Sequence, residues 1–304
     1  MTHDRVVTAA APELRRLDRA QIEPWLERLS AWLLPGALYP VQHTWPQLYR
    51  RDGDGDFAGV FVGDELVSHC AWRFVDVRTP AILRVALLGS VATATDQRGH
   101  GHATRLLQHA VDDCRAHGAA AILLWAERPE LYARVGFRRG SVETCLLLDR
   151  RLFPKPTATT QRATARLATV ADHDRLRELH AQKALGVVRD RRAMSLLLTT
   201  PGLTTCVLER DGRATAYACH GKGADLQGWW HEFGGDDAEV AALLPGAMEL
   251  TGLDHAFALV PPDRVELASL VAEACLDVAA VDGPMVLPLR DDLPPFWIDG
   301  LDSV

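Results

Sequence analysis

Two glycines one residue apart, Gly99 and Gly101 in the stretch Gln97–Thr104 (QRGHGHAT), are the residues best suited to chemistry in this chain. Glycine adopts positive φ without steric cost and lets the backbone come close to a ligand. Directly after them, Ala103, Leu106, Leu107, Ala110, Val111 and Cys114 recur with the i, i+3, i+4, i+7 spacing of an amphipathic helix. Directly before them, Ile82 to Thr93 (ILRVALLGSVAT) is a β-rich run. A glycine turn between a strand and a helix aims the helix's first unpaired amides, and the positive end of its dipole, at whatever sits in the turn. Phosphate oxygens suit that position. A nucleoside triphosphate loop is excluded, because no Gly-Lys-Ser/Thr follows. The dinucleotide fingerprint G-x-G-x-x-G is approached, with Glu127 where a ribose-binding acid could sit, but its third glycine is Thr104 here.

A second segment follows. Ala120–Trp125 (AAILLW) has the pattern of a short buried strand, and Glu127–Phe137 (ERPELYARVGF) carries Tyr132 shortly before a Gly-Phe pair. Arg98-Gly99-His100-Gly101-His102-Ala103 fits R/Q-x-x-G-x-G/A and resembles the acyl-CoA pyrophosphate loop of the GNAT superfamily of N-acyltransferases. The Tyr132 segment resembles the second signature of that family, in the same order and spacing. The implied fold is α/β (α+β): a mixed, mostly antiparallel GNAT sheet with helices on both faces. The implied activity is transfer of an acyl group, acetyl from acetyl-CoA being commonest, to a primary amine by direct attack.

The resemblance also assigns roles. The amides of Gly99, His100, Gly101, His102, Ala103 and Thr104, with Arg98 nearby, would hold the pyrophosphate. Backbone groups of Val91, Ala92 and Thr93, on a central strand that splays from its neighbour after Val91, would pair with the pantetheine arm and polarise the thioester carbonyl. Tyr132 would protonate the departing thiolate, an effect typically worth about 10²–10⁴-fold. An alkylamine of pKa near 10.4 is neutral only about one part in 10³ at pH 7, so a base usually assists. Ile82–Thr93 holds no carboxylate, and Glu127, His69, the carboxylate of Val304 at the end of an apolar tail, or a water all remain candidates. A chain-terminal carboxylate has that role in the enhanced-intracellular-survival type of aminoglycoside acetyltransferases, whose pairing of one active and one degenerate lobe is similar to the arrangement inferred below; no third, sterol-carrier-like domain is evident. No ligand triad implies a metal. The acceptor, a small-molecule amine or a protein amine, is not encoded in any motif.

At 304 residues the chain is long enough for two domains. Apolar residues make up 48% and charged residues 24%, as in an ordinary globular enzyme. No apolar run approaches the roughly 20 residues of a membrane span, and the N-terminal stretch lacks a signal-type apolar core, so a cytoplasmic protein without a membrane partner is expected. Six scattered cysteines, without a C-x-x-C, read as buried thiols. The net charge of −7 falls entirely on residues 151–304, with 15 basic against 22 acidic side chains. Such a balance argues against a nucleic-acid partner.

Pro24–Leu34 reads as a helix stopped by Pro35-Gly36, and Tyr39, His43, Trp45 and Tyr49 as aromatics of the core or of an acceptor pocket. Phe57–Val62 and Leu66–Val75 flank Gly63-Asp64 as a hairpin, with Ile82–Thr93 next and Ser141–Leu148 as a closing strand. The expected division is a catalytic domain over 1–152, a linker over 153–161, and a degenerate GNAT-like lobe over 162–304. That lobe repeats the order of strand, helix, hairpin, strand and helix. Its corresponding turn, Gly234-Gly235-Asp236-Asp237, carries carboxylates where phosphates would be repelled. His231 and Glu232, with Trp229 and Trp230, form a candidate site in it. A second class stays open: an acyl-CoA sensor or protein-interaction module without turnover, since fold does not prove chemistry.

Overall fold

The computed structural model describes residues 10–154 and 163–304, so most of the expected linker and the first nine residues of the N-terminal stretch lie outside the described residues. The first sheet opens with β1 (Glu13–Leu17), a strand the sequence reading did not anticipate, paired antiparallel with β2 (Asp56–Val62). Short helices fill the connection: α1 (Arg19–Ile22), α2 (Leu26–Leu33), α3 (Val41–Thr44) and α4 (Pro46–Tyr49). β2 and β3 (Glu65–Arg78) form the expected hairpin, Gly63 supplying the positive φ of its turn, and β4 (Leu83–Thr93) adds antiparallel to β3. The glycine turn then leads into α5 (His102–Ala116), which returns the chain to β5 (Ala121–Leu124), parallel to β4. α6 (Pro129–Ala133) and β6 (Arg138–Arg139) follow.

Helix α5 buries the face its spacing predicted. Leu106, Leu107, Ala110, Val111 and Cys114 pack on Ala58, Val60, Cys70, Trp72, Ala86, Leu88 and Ile122. Each fully buried leucine there contributes roughly 1.5–3 kcal/mol. The opposite face of the sheet is covered by α2, α3 and α4 through Leu29, Val41, Trp45, Leu48 and Tyr49.

The chain then departs from expectation. β7 (Val142–Asp149) does not close the first sheet. It lies in a second sheet, between β13 (His255–Val260) and β14 (Cys275–Asp282). The free edge of β5 is taken by β15 (Met285–Pro288), from near the far end of the chain, and β6 pairs on its other side. The alternation of β7 was legible, but alternation fixes which faces a strand presents, not which edge receives it. Its Leu146 and Leu148 fill the second core, while Met285 of β15 fills the first.

The rest of the second lobe follows the inferred order. β8 (Ala163–Leu167), α7 (His173–Ala181), β9 (Gly186–Val187), α8 (Arg191–Leu198), β10 (Thr204–Arg210), β11 (Arg213–Lys222), β12 (Asp225–Gly234), α9 (Asp237–Leu250), β13, α10 (Val265–Leu270) and β14 run in sequence. β12 and β13 are parallel and joined through α9, which repeats the arrangement of β4, α5 and β5. Residues 297–304 insert between the two lobes. Ile298 joins the first-lobe cluster of Leu87 and Leu123, and Leu301 joins the second-lobe cluster of Leu176, Met194 and Tyr217.

Candidate active site

β4 and β5 pair only at Ala86↔Ile122 and Leu87↔Leu123. Beyond Leu87 the two central strands part, four residues earlier than the splay expected after Val91. The cause lies in β4 itself. Its register with β3 slips between His69↔Ala92 and Ala71↔Gly89, and the extra residue, Ser90, takes φ of 53°. Such a bulge bends a strand away from its neighbour, and a non-glycine residue there holds about 1–3 kcal/mol of strain. Past the bulge, Ala94 donates to Val67 O (2.9 Å) and Ala92 faces His69. Alternation of an antiparallel ladder therefore turns the backbone groups of Val91 and Thr93 toward the gap, while those of Ala92 face β3.

The glycine turn borders that gap. Gly99 and Gly101 have φ of 83° and 78°, and a Cβ on either would meet no atom within 4 Å. Their glycine character thus serves backbone conformation rather than crowding. Gly101 caps α5 without a side-chain acceptor, so the first amides of the helix, from His102, Ala103 and Thr104, have no side-chain cap among the described residues. Arg98 is exposed and its Nε donates to Thr93 O (3.3 Å), which ties the turn to the end of β4. His100 is exposed, and its Nδ1 lies 3.2 Å from Gln97 O. His102 is buried beneath the turn, stacked on His100 at 5.8 Å, and burial lowers its pKa. It offers the gap its amide rather than its ring.

Tyr132 stands on α6 across the gap, half-buried against the α5 core, its ring edge-on to Phe137 at 6.2 Å. Burial pushes its phenol up to about 12, with Cys70 and Glu127 adding to the effect, so it keeps its proton at neutral pH. Among the base candidates, Glu127 is exposed just past β5. His69 is wholly buried on β3 between Tyr49 and Phe57, and burial drops its pKa to about 4. Its Nδ1 donates to Ser90 O (3.0 Å), and its Nε2 has no partner among the described residues.

These parts have counterparts in known proteins. Residues 13–140 match the model of the acetyltransferase (GNAT) domain. The first lobe is a GNAT acetyltransferase domain. Beyond that lobe the likeness is one of fold. A conserved protein of unknown function from Enterococcus faecalis V583 superposes with a TM-score of 0.72 at 13% identity, over 92% of this chain and 73% of that one. A GCN5-related N-acetyltransferase from Kribbella flavida gives 0.68 at 18%, over 94% and 73%. Eis1 from Mycobacterium abscessus gives 0.62 at 16%, over 91% and 73%. No curated protein matches the sequence.

The GNAT lobe also receives the chain's last residues, by means that apolar docking alone did not suggest. A Cβ at Gly89, on β4 beside the bulge, would overlap the carbonyl of Val304. Residues 299–303 are held by buried charge. Asp302 accepts from Arg189 Nη2 (2.7 Å) and Nε (2.9 Å) and from Arg73 Nη1 (3.2 Å). Arg189 also donates to both oxygens of Glu232 (2.6 and 2.7 Å), and Arg73 to both of Asp54 (2.8 and 3.0 Å). Asp299 takes Lys183 and the Val187 amide (2.9 Å). Lys222 donates to Ser303 O and Oγ, and Gln47 Nε2 to Ser303 O (3.0 Å). Gly300 lies against the ring of His231, where any side chain would collide.

His231 and Glu232, singled out as a second-lobe site, are therefore part of the tail's seat. Trp230 is core, and Trp229 stacks on Phe257 at 4.9 Å. The turn at 234–237 is occupied internally: Asp237 binds Arg264 Nε (2.6 Å) and the Leu267 amide (2.9 Å), and a Cβ at Gly234 would enter the Tyr217 ring. Trp45 and Tyr49 are buried core, and His43 is exposed. Sequence reasoning missed Arg73, Arg189, Asp302 and Lys222. The signal available was two carboxylates in an otherwise apolar tail. A depression of about 450 Å³ beside Arg16–Arg19 and Gly55–Phe57 lies away from the gap, and its Arg16 and Arg19 are already paired.

Proposed function

We propose that the chain is an acyl-CoA-dependent N-acyltransferase that moves an acetyl group from acetyl-CoA to a primary amine. One observation carries this reading: an uncapped helix start behind two positive-φ glycines, beside the gap between β4 and β5. The amides of Gly99 to Thr104, with Arg98, would hold the pyrophosphate. The pantetheine amides would pair with Val91 and Thr93, whose outward backbone groups supply the donor that polarises the thioester carbonyl. The amine nitrogen attacks the carbonyl carbon, the C–N bond forms, and the C–S bond breaks. Tyr132 gives its proton to the departing thiolate, and the amine yields one to a base.

For that base, the carboxyl group of Val304 has the strongest support. In a chain ending at this residue it would lie against Gly89, where the strands part. Glu127 faces solvent, and His69 is sealed between Tyr49 and Phe57 with its Nδ1 committed to Ser90 O. Two residues added after Val304 would displace the carboxylate and lower thiol release if it is the base. Unchanged turnover would return the role to Glu127 or water.

The reading as a whole is tested by titrating acetyl-CoA calorimetrically into the protein and measuring thiol release against a panel of amines. Binding with amine-dependent release is expected. Binding without release on any amine would favour the sensor, and no binding would defeat the assignment of the Gly99–Gly101 turn.

A further inference from the structure

A cleft of about 250 Å³ lies between β15 and the tail, lined by Leu123, Glu143, Val286, Phe296, Trp297 and Ile298. Glu143, at the point where β7 leaves for the second sheet, is only 7% exposed. No hydrogen bond or ion pair reaches its carboxylate among the described residues, and burial alone pushes its pKa up to about 7. Glu143 pairs with Val281 of β14, and the next residue of that strand, Asp282, is bound to Arg139 at 2.9 Å. Trp297, another wall of the cleft, has a buried indole N–H that has no partner among the described residues either. An ionised carboxylate in apolar surroundings is held at a cost that an incoming cation removes, and aromatic walls favour the same visitor.

The cleft and the gap lie on one face of the first sheet. Val286 faces Leu123 across β15 and β5, and Leu123 faces Leu87 across β5 and β4, two residues from Gly89. Two strand spacings separate β15 from β4, about 10 Å.

We propose that this cleft is a second subsite for the acceptor, in which Glu143 binds the distal ammonium of a diamine or polyamine while its other nitrogen attacks at the splay. The proposal rests on the acyltransfer reading. It makes Glu143 a specificity residue: the far charge is neutralised, the methylene chain lies along Val286, Leu123 and Ile298, and the reacting amine is brought to Gly89.

The test uses the full chain and two sets of probes, straight-chain α,ω-diamines of increasing length and the monoamines of the same lengths. Wild type is expected to prefer the diamine in kcat/KM, and Glu143→Gln to lower that preference at least about tenfold, chiefly through KM. Ser141→Arg, on an exposed residue at the mouth of the cleft, supplies a competing cation and is expected to reduce the preference likewise, without altering Glu143. Equal preference in wild type and Glu143→Gln overturns the proposal. Calorimetry without acetyl-CoA separates the two ideas. Diamine binding that depends on Glu143, in a protein that binds acetyl-CoA yet releases no thiol, would refute the acceptor role together with the acyltransfer reading. Amine-dependent thiol release with no Glu143-dependent binding would refute the subsite alone.

Discussion

Replacing Asp302 by Asn asks whether the tail is held by charge rather than by apolar surface. Asp302 is 1% exposed and shares its two oxygens between Arg189 and Arg73. Around it the seat balances: Arg73, Arg189, Lys183 and Lys222 face Asp54, Glu232, Asp299 and Asp302, while burial keeps His180 neutral with a pKa of about 4. Asparagine keeps the shape and one acceptor oxygen but removes the charge. Breaking a buried pair costs about 3–5 kcal/mol when the surviving charge is left alone. Here Arg189 keeps both bonds to Glu232 and Arg73 both to Asp54, so a loss of about 2–3 kcal/mol is expected, in line with charge-assisted hydrogen bonds. In a chain of 304 residues that lowers Tm by roughly 3–5 °C. Arg189→Leu strands Glu232 and Asp302 together and should cost more, about 3–5 kcal/mol. Thermal unfolding measures the first effect, and thiol release with acetyl-CoA calorimetry the second. Turnover should fall by about 10²-fold as Val304 leaves Gly89, while acetyl-CoA affinity, set at the glycine turn that opens α5, holds. A Tm and a turnover both equal to wild type would refute a charge-held tail.

Three further outcomes follow from named groups. Tyr132→Phe removes the proton donor and should slow acyl transfer by about 10²–10³-fold with acetyl-CoA affinity retained; an unaltered rate would show that another group protonates the thiolate. Gly101→Val forces a β-branched residue to φ of 78° and should cost at least about 1–2 kcal/mol and weaken acetyl-CoA binding, as calorimetry would report. Lys222 is buried with only neutral acceptors, and burial lowers its pKa from 10.5 to about 8. Between those values the unfolded chain binds the proton more tightly than the folded one, so stability should rise with pH from about 8 to 10.5, by about 3 kcal/mol in all. Denaturant melts of wild type and Lys222→Met across that window would check it, and a slope that persists in the variant would assign it elsewhere.

The parts of this fold legible in sequence were those whose cause is local. Gly99 and Gly101 announce a positive-φ turn, the apolar period after them a helix, and the Gly63-Asp64 pair a hairpin, all of which the structure contains. What escaped has causes far away along the chain. β15 is four residues long and carries no propensity strong enough to distinguish it from loop; it is a strand because β5 offers an unpaired edge. β7 was recognised as a strand and given the wrong neighbours. The Arg189–Asp302 pair joins positions 113 apart, and no spacing rule relates them. Glu143 was not singled out in the run Ser141–Leu148, and the cleft it lines is closed by residues 294–298, about 150 positions further along.

The same long-range contacts explain why a lobe whose own loop is filled should accompany the GNAT lobe. Asp237 and Arg264 occupy the turn that would correspond to the pyrophosphate loop, so the second lobe has nothing there to hold a phosphate. What it does hold is the tail, through Arg189, Glu232, Lys183 and Lys222, and the first lobe adds Arg73 and Gln47 to the same segment. The two sheets also exchange strands, β7 going out and β15 coming back. Cutting the chain near residue 152 would therefore leave β5 without its outer neighbour, β7 without a sheet, and Gly89 facing water instead of Val304. The division into two lobes describes the order of the sequence, whereas the gap between β4 and β5 is assembled from both.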